Sequence, residues 1–284
     1  MTPLISIILP ARNCEASIGL AIKSILQQSY SNFELLLLDD GSNDKTMAIA
    51  QHFTDSRIRV FSDGLQKGIT ARLNQGIDEA QGSLIARMDG DDISYPERLQ
   101  RQVDYLQGHP DLDLIGTSML VFDKKFRVVG KRIVPTPHAD IIANPMRGFP
   151  LMHPTFMGRI EWFKKFRYGL CMGSEDQDLL LRTYRHSKFS NLPDILFAYR
   201  ETNIEPAKYA KGRQSYLQSL KREGFLHNSN LKALWMLIFN QAKRIRDYTA
   251  LYSKLGYNIL RNRAQPATDE EVENFALLLK QLEG

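Results

Sequence analysis

The alternation of apolar runs and polar breaks in the first third of the chain predicts strands alternating with helices. Short apolar runs typical of buried strands cover Leu4–Leu9, Phe33–Leu38, Ile58–Phe61 and Leu84–Met88. Between them, apolar residues recur every three or four positions, which predicts a helix after each of the first three strands. This order with short connections is typical of a mostly parallel, Rossmann-like sheet flanked by helices. The expected fold class is therefore α/β.

The middle of the chain has a less regular pattern. It predicts a helix over Pro96–Gln107, a strand over Leu112–Phe122, a helix beginning at Glu175 and a last strand over Ile195–Tyr199. Residues 128–150 contain four prolines and two glycines, so we expect a long irregular insertion there. Loops of that length inside a compact domain usually serve as lids or binding loops.

Beyond residue 203 the strand patterns stop. Helical periodicity covers Lys208–Glu223, Leu231–Gly256 and Glu271–Leu282, which predicts an α/β domain over residues 1–203 and a helical C-terminal appendage over residues 204–284. The chain carries a net charge of +5, but twelve Lys/Arg against three acidic residues give +9 between residues 205 and 263. Such a segment suits an anionic membrane surface. The alternative, which we favour, is that its apolar face packs on the α/β domain.

Composition restricts the cellular setting. Two cysteines without a Cys-x-x-Cys pair or a histidine cluster argue against a disulfide framework and a structural zinc site. The sequence shows no signal-peptide pattern, and its longest apolar run is too short to span a bilayer. We therefore expect a cytoplasmic protein, with possible attachment to the inner face of the cytoplasmic membrane. The aromatics of the basic segment fit helix packing better than base stacking, so no nucleic-acid partner is expected.

Three polar segments follow predicted strands, at Pro10–Asn13, Asp39–Asp44 and Asp89–Asp92. The carboxyl ends of parallel strands meet at one edge of a sheet, so these segments are expected to converge there. Three acids within four positions suit a hard divalent cation such as Mg²⁺ or Mn²⁺ that also holds a phosphate. Taken singly, Asp89–Asp92 also fits an acidic turn, and Asp39–Asp44 fits a helix cap in which Ser42 or Asp44 caps a helix that runs through Phe53. Dinucleotide-binding and phosphate-loop glycine patterns are absent from the sequence.

At this point the sequence resembles a known family. The segments that resemble the family-two glycosyltransferases, in the same order, are Ser6–Asn13, Leu38–Asp44, Leu73–Ile77, Ala86–Ser94 and Gly173–Asp176. Members of that family are inverting enzymes of the GT-A fold that use nucleotide-sugar donors. The resemblance covers residues 4–182 and does not extend to the helical tail.

The resemblance implies a role for each matching residue. Pro10, Ala11 and Arg12 would form the loop around the base, and Asp40 would hydrogen-bond the base. Asp89 would contact the ribose, Asp91 would bind the metal, Mn²⁺ or Mg²⁺, and Asp176 would be the catalytic base. Arg72 is a candidate for contact with the nucleotide or its phosphates, or else a solvated helix residue. His153 is a candidate contact of the diphosphate, or else a structural turn residue, and Glu175 is a candidate for the acceptor side.

The chemistry implied by these roles is consistent with the residues. A metal offsets the charge that develops on a departing nucleoside diphosphate, and one carboxylate suffices to deprotonate an attacking hydroxyl. We therefore expect an inverting glycosyltransferase that moves a sugar from a UDP-sugar to a glycan or lipid-linked acceptor in surface-polysaccharide synthesis. Two alternatives stay open. One is a sugar nucleotidyltransferase, which usually has a glycine-rich basic loop where this chain has Pro10–Asn13; the other is a non-catalytic nucleotide-sugar-binding protein, which would be expected to lack Asp91 or Asp176.

Overall fold

The computed structural model describes residues 2–169, 173–201, 206–225 and 264–283, together with residues 238, 242 and 245. Over the continuous ranges the chain forms nine β-strands and nine α-helices. The strands are β1 (Ile5–Ala11), β2 (Phe33–Asp39), β3 (Ile58–Phe61), β4 (Leu84–Arg87), β5 (Ile93–Ser94), β6 (Leu114–Phe122), β7 (Val128–Arg132), β8 (Met157–Arg159) and β9 (Phe189–Arg200). The helices are α1 (Ile18–Leu26), α2 (Thr46–Gln51), α3 (Ile69–Glu79), α4 (Arg98–Gly108), α5 (His138–Ile141), α6 (Ile160–Phe166), α7 (Glu175–Thr183), α8 (Pro206–Arg222) and α9 (Asp269–Glu283).

All nine strands belong to one sheet. Eight of them have the order β3-β2-β1-β4-β8-β6-β9-β5, and β7 pairs with residues 119–122 of β6. The first four positions are parallel, as the alternating pattern predicts. The second half is mixed: β8 is antiparallel to both neighbours, β6 and β9 are parallel, and β5 and β7 are antiparallel to their partners. The α/β class is confirmed. The parallel part of the sheet is the half formed by β1 to β4, and the other half is mixed.

Alternating side chains of the strands divide the core between the two faces of the sheet. Ile7 and Leu37 pack with α1 and α4 on one face, while their neighbours Ile8 and Leu36 pack with α3 and α7 on the other. Because successive residues of a strand point to opposite faces, a continuous apolar run buries both faces at once. This arrangement explains why the first strands contain few polar residues.

Among the predicted elements, the second helix and the insertion over residues 128–150 differ from the structure. The helix α2 begins at Thr46 after Lys45 and has no side-chain cap; Asp44 instead accepts a 2.9 Å hydrogen bond from the Thr46 N–H. The insertion over residues 128–150 is only partly irregular, since it contains β7 and α5. The sequence did not predict β7, because this stretch is polar and rich in proline. The strand β7 pairs with the edge of β6 opposite β9.

Two helices of the C-terminal region pack on the α/β domain. Leu220 of α8 is buried in the core cluster that contains α7, and Phe275, Leu278 and Leu282 of α9 cover Phe122. The helix expected over Leu231–Gly256 lies outside the described residues, and the boundary after residue 203 stays a prediction. Within the described part of the chain, none of the helices combines the length and the apolar character that a membrane crossing requires.

Candidate active site

The three polar segments at the strand ends do converge. The Asp40 N–H donates to the Ala11 carbonyl at 2.9 Å, and the Asn13 N–H donates to Ser42 Oγ at 3.1 Å. Ser17 Oγ, just before α1, donates to the Gly90 carbonyl at 3.0 Å, and a Cβ atom at Gly90 would lie 3.5 Å from Ala11 Cβ, so the acidic turn lies against the first segment. Pro10 and Ala11 prove to be the buried end of β1 and not loop residues, and only the exposed Arg12 of that trio lies in the loop.

Asp40 lies at the centre of the second segment, buried between α3 and the loop that precedes it. Its Oδ1 accepts hydrogen bonds from the backbone N–H groups of Lys67 at 2.7 Å and Gly68 at 2.8 Å. Arg72 Nε lies 3.4 Å from the same oxygen. These donors fix the carboxylate before any ligand arrives, which suits a group that must present a hydrogen-bond acceptor in one direction.

Arg72 is fully buried and fastens the loop that contains residues 63–68. Besides Asp40, its guanidinium donates to Asp63 at 2.6 and 3.3 Å, to Gln75 Oε1 at 2.9 Å and to the Leu65 carbonyl at 2.5 Å. Arginine has five N–H donors. With these contacts all of them are directed to protein atoms, so in this arrangement Arg72 positions the Asp40 loop and has no donor for a phosphate. It is not the solvated helix residue of the alternative interpretation.

The acidic turn after β4 brings the oxygens of Asp89, Asp91 and Asp92 within 4.8 Å of one another. Burial, and secondly the charge of Asp89, raise the pKa of Asp91 to about 6, although Arg200 opposes the shift. Asp92 is almost fully buried, and its Oδ2 has no hydrogen-bond partner among the described residues. Crowded carboxylates with an unpartnered oxygen fit a bound divalent cation, which would stabilise their ionised forms.

Arg200, at the end of β9, supports this turn from behind. Its Nε donates to the Asp91 carbonyl at 2.8 Å, and its backbone N–H donates to Asp92 Oδ1 at 2.8 Å. The guanidinium stacks between the rings of Phe122 and Phe126, at 4.7 and 4.6 Å from the ring centroids. The sequence analysis missed Arg200, because nothing near it in sequence indicates that β9 ends beside the acidic turn.

Arg87 is the second residue that the sequence analysis did not assign. It is buried at the end of β4, and its Nη2 donates to Asp89 Oδ1 at 2.5 Å. Its Nε and Nη1 are buried without a hydrogen-bond partner among the described residues. A signal was present, since an arginine interrupts an otherwise apolar strand in the sequence, and buried arginine is rare unless it is paired.

In a second cluster, whose Glu175 also interacts electrostatically with Arg87, side-chain atoms of His153, Glu175 and Asp176 lie within 4.8 Å of one another. His153 Nε2 lies 2.9 Å from the Tyr168 hydroxyl, and its Nδ1 lies 3.9 Å from Glu175 Oε1. Burial, and secondly the charge of Arg87, lower the pKa of His153 well below its usual value, so its ring is neutral at neutral pH. His153 therefore contributes a buried neutral ring to this cluster.

The carboxylates of Glu175 and Asp176 differ in environment at the start of α7. Glu175 is buried, and its Oε2 has no partner within the described structure, whereas Asp176 is half-buried and its Oδ2 accepts a 3.1 Å bond from Gln177. Burial raises the pKa of both groups, and Arg87 opposes the rise. A more accessible carboxylate with a raised pKa is the better general base, so the geometry favours Asp176 over Glu175 for that task.

Comparison with known proteins identifies relatives. The family model for glycosyl transferase family 2 matches residues 6–167. EpsE of Bacillus subtilis, a glycosyltransferase by name, is 39% identical over 70% of this chain and 73% of its own length. The O-antigen biosynthesis glycosyltransferase WbnJ of Escherichia coli is 31% identical over 73% of this chain and 83% of its own. WfgD of Escherichia coli, named as a UDP-Glc:α-D-GlcNAc-diphosphoundecaprenol β-1,3-glucosyltransferase, is 34% identical over 46% of this chain and 51% of its own.

Solved structures share the fold at low sequence identity. Staphylococcus aureus TarS in complex with UDP superposes with a TM-score of 0.60 and 19% identity, over 76% of this chain and 65% of that one. The mannosyltransferase PcManGT from Pyrobaculum calidifontis, in complex with GDP-Man and Mn²⁺, gives a TM-score of 0.61 and 15% identity over 92% of this chain and 79% of that one. These similarities establish the architecture.

Proposed function

The chain belongs to glycosyl transferase family 2, and from that premise we propose that it transfers a sugar from a UDP-sugar to a hydroxyl group of a lipid-linked glycan, with inversion at the anomeric carbon. Its class is a glycosyltransferase of the GT-A fold, as the sequence predicted. The choice of UDP and of a lipid-linked acceptor is supported by the substrates in the name of WfgD and by the UDP bound to TarS.

The observation that carries the proposal is that two carboxylate clusters both interact with the buried Arg87. Asp89, at the start of the acidic turn, pairs with Arg87 directly. The charge of Glu175 raises the pKa of Arg87, and the charge of Arg87 lowers the pKa of Asp176. Both acids belong to α7, which is far from Arg87 in sequence. A donor held by Asp40, Asp89 and Asp91 would therefore present its anomeric carbon toward Asp176.

The acidic turn supplies the metal site of the proposed mechanism. Asp91 would bind Mn²⁺ or Mg²⁺, with the adjoining carboxylates of Asp89 and Asp92 available to support it. When bound, the cation would offset the negative charge that develops on the leaving diphosphate. Arg200 holds the turn through the Asp91 carbonyl and the Asp92 carboxylate, so both groups have a protein partner that does not depend on the cation.

Asp176 carries out the proton transfer of the proposed reaction. Its carboxylate accepts the proton of the acceptor hydroxyl as that oxygen forms a bond to the anomeric carbon and the bond to the diphosphate breaks. One such displacement inverts the anomeric configuration. The bond from Gln177 holds one carboxylate oxygen of Asp176, and Gln177 is itself held by the backbone of Phe149 through bonds of 2.7 and 3.3 Å.

We further propose that the protein works at the inner face of the cytoplasmic membrane, where a lipid-linked acceptor would lie. The support is the net charge of +9 between residues 205 and 263, since clustered Lys and Arg are attracted to anionic lipid headgroups. Packing of α8 on the α/β domain does not conflict with this role, because the exposed Lys211 and Lys221 leave charge on its outer side.

Calorimetric titration of UDP and GDP, with and without Mn²⁺, tests the donor site. We expect UDP to bind in a metal-dependent manner, and Asp91→Asn to weaken that binding by more than about tenfold, since a charged metal ligand is lost. Asp104→Asn, which changes an exposed carboxylate on α4, is the matched control and should bind as the wild type does.

Turnover separates the proposal from its alternatives. Incubation of UDP-glucose with a GlcNAc-diphosphate lipid should yield UDP and a disaccharide lipid, and Asp176→Asn should abolish the product but keep UDP binding. Absence of UDP and GDP binding by the folded protein in Mn²⁺ would overturn the proposal. Binding without turnover on any acceptor would favour a non-catalytic nucleotide-sugar-binding protein, and release of pyrophosphate from UTP and a sugar phosphate would favour a nucleotidyltransferase.

A further inference from the structure

A third carboxylate on α7, that of Asp178, is fully buried and takes no part in the proposed reaction. Its Oδ2 accepts a 2.9 Å bond from Arg182 Nε. Its Oδ1 accepts a 2.6 Å bond from Ser219 Oγ and a 2.5 Å bond from Arg222 Nη2. Two of the three donors belong to α8, the first helix of the C-terminal region, so one carboxylate joins the two helices.

This contact is a group of charge-assisted hydrogen bonds. Burial by itself would raise the pKa of Asp178, but the bonds from Ser219, Arg222 and Arg182 outweigh it and hold the pKa below its usual value. Asp178 is therefore ionised at neutral pH. Because removal of a partner from a buried charge is strongly unfavourable, the ionised carboxylate holds α8 in one position relative to α7.

Arg182 extends the contact to the segment that leads into α7. While its Nε bonds to Asp178, its Nη1 donates to the Phe166 carbonyl at 3.0 Å and its Nη2 donates to the Arg167 carbonyl at 2.7 Å. The same segment passes so close to Asp178 that a Cβ atom at Gly169 would lie 2.9 Å from Asp178 Oδ2. Residues 166–169 thus lie directly against Asp178 and its partner Arg182.

The helix α8 also contacts the chain just before Glu175 and Asp176. A Cβ atom at Gly212 would lie 2.6 Å from the Gly173 carbonyl, so the two backbones touch where no side chain fits. Gly173 has a φ of +90°, which favours glycine. Contacts of α8 therefore fall at residues 173 and 178, on both sides of Asp176 in sequence.

We propose that α8 is a positioning element of the active site, in which the bonds from Ser219 and Arg222 to Asp178 fix the first turn of α7 and so hold the Asp176 carboxylate against the acceptor hydroxyl. This inference rests on the proposed role of Asp176 as the base. Ser219 and Arg222 would act through Asp178 and touch neither donor nor acceptor. A helix outside the segments that resemble the family would then affect the rate of the chemical step.

The test compares Ser219→Ala combined with Arg222→Ala against three other proteins. These are the wild type, the single variant Arg222→Lys, and Gln218→Ala, which shortens an exposed, uncharged side chain next to Ser219. For each, kcat and KM are measured with UDP-glucose and a GlcNAc-diphosphate lipid, together with the UDP dissociation constant in Mn²⁺ and the melting temperature.

We expect the double variant to lose about tenfold to a hundredfold in kcat, because a shift of about 1 Å in a catalytic group has an effect of that size. The UDP dissociation constant should stay unchanged, since Asp40, Asp89 and Asp91 lie on other elements. Arg222→Lys should keep most of the activity, because lysine also donates to a carboxylate, and Gln218→Ala should behave as the wild type. Unchanged kcat in the folded double variant would overturn the inference, as would equal losses in kcat and in UDP affinity.

Hydrogen exchange supplies a readout that does not depend on turnover. In the double variant, backbone amides of residues 173–178 should exchange at least about tenfold faster, which corresponds to about 1.4 kcal/mol of local opening, while amides of β1 should keep their wild-type rates. If the exchange of residues 173–178 does not change, the inference fails even where the enzyme is active. If exchange in the double variant rises as expected but the wild type never transfers a sugar, the proposed function fails, whereas the coupling of α8 to α7 is supported.

Discussion

At the scale of single residues, the site is organised around Arg87. Burial of a guanidinium at a strand end is unfavourable in free energy unless opposite charges surround it. Here Asp89 bonds to it directly, and Asp92 and Glu175 add their charges, so they raise the pKa of Arg87 although burial opposes that shift. Within the described residues its Nε and Nη1 have no hydrogen-bond partner, so they are available to a ligand. Arg87 is therefore the fixed cation that lets two carboxylate clusters lie close together.

Replacement of this cation should change how the reaction depends on pH. Arg87 lowers the pKa values of Asp176 and Glu175, so in Arg87→Gln both values should rise. The base then loses its ionised form at a higher pH, and the acid limb of a profile of kcat against pH should move upward by about one unit, as expected for loss of a nearby opposite charge. The profile is measured at saturating donor.

Arg101→Gln serves as the control for that experiment. Arg101 is an exposed residue of α4 that pairs with Asp194 at 3.0 Å, and its removal should leave the acid limb in place. An acid limb in Arg87→Gln that stays fixed or moves to lower pH would contradict the proposed electrostatic role. The melting temperature of each variant shows whether the fold survives the change.

At the scale of elements, the loops at the strand ends depend on close backbone packing. Gly41 follows Asp40 with a φ of +69°, and a Cβ atom there would lie 2.9 Å from the Gln66 backbone nitrogen. That nitrogen belongs to the loop whose Lys67 and Gly68 N–H groups hold the Asp40 carboxylate. Gly41 thus allows two loops to meet, and their contact fixes the proposed base-binding acid.

Gly41→Ala should therefore weaken UDP binding. The added methyl group must push the loop of residues 65–68 away from Asp40, and we expect the dissociation constant for UDP to rise by about tenfold, or about 1.4 kcal/mol. Gly64→Ala is a matched control, because Gly64 also has a positive φ of +72° but open space around its Cα. Both alanines carry similar backbone strain of about 1–2 kcal/mol. Equal UDP affinity in the two variants would show that the close contact does not matter.

At the scale of the whole molecule, the C-terminal region is joined to the α/β domain at both of its described ends. The helix α8 bonds to Asp178 of α7, and α9 buries Phe275 against Phe122 behind the acidic turn. Lys131 and Gln265 also form an isolated β-bridge, and Lys131 pairs with Glu271 of α9 at 2.8 Å. The interpretation favoured from sequence, packing of the basic segment on the α/β domain, describes α8, whereas α9 lies beyond that segment.

The charge of the region leads to a prediction for the intact protein. The full-length chain should co-sediment with vesicles that contain an anionic phospholipid at low salt, and should be released at about 1 M salt, where the screening length falls to about 3 Å. The reason is electrostatic attraction of the excess Lys and Arg between residues 205 and 263. Neutral phosphatidylcholine vesicles are the control. Equal binding to both kinds of vesicle, or to neither, would remove the support for membrane attachment.

Several elements of the fold and the site could be predicted from the sequence because their signals are local. The period of apolar residues determined the strands and helices from β1 to β4, and the polar residues that end three of those strands marked the edge of the sheet where Asp40, Asp89 and Asp91 lie. Proline-rich and polar stretches carried less information, since β7 has no apolar run and depends on β6 for its hydrogen bonds. The short α6 also went unpredicted, between a strand and a glycine-containing loop.

Contacts between distant residues were decided by the tertiary structure alone. The carboxylate of Asp178 accepts a hydrogen bond from Ser219, which is 41 positions away in sequence. The backbone N–H of Arg200 donates to Asp92, which is 108 positions away. The sequence by itself determined which segments are buried and which loops carry acids, because burial and chain direction follow from each segment's own pattern. The partners of Arg87, Arg72 and Asp178 depend on which elements become neighbours, and that is decided by the packing of the whole chain around one sheet.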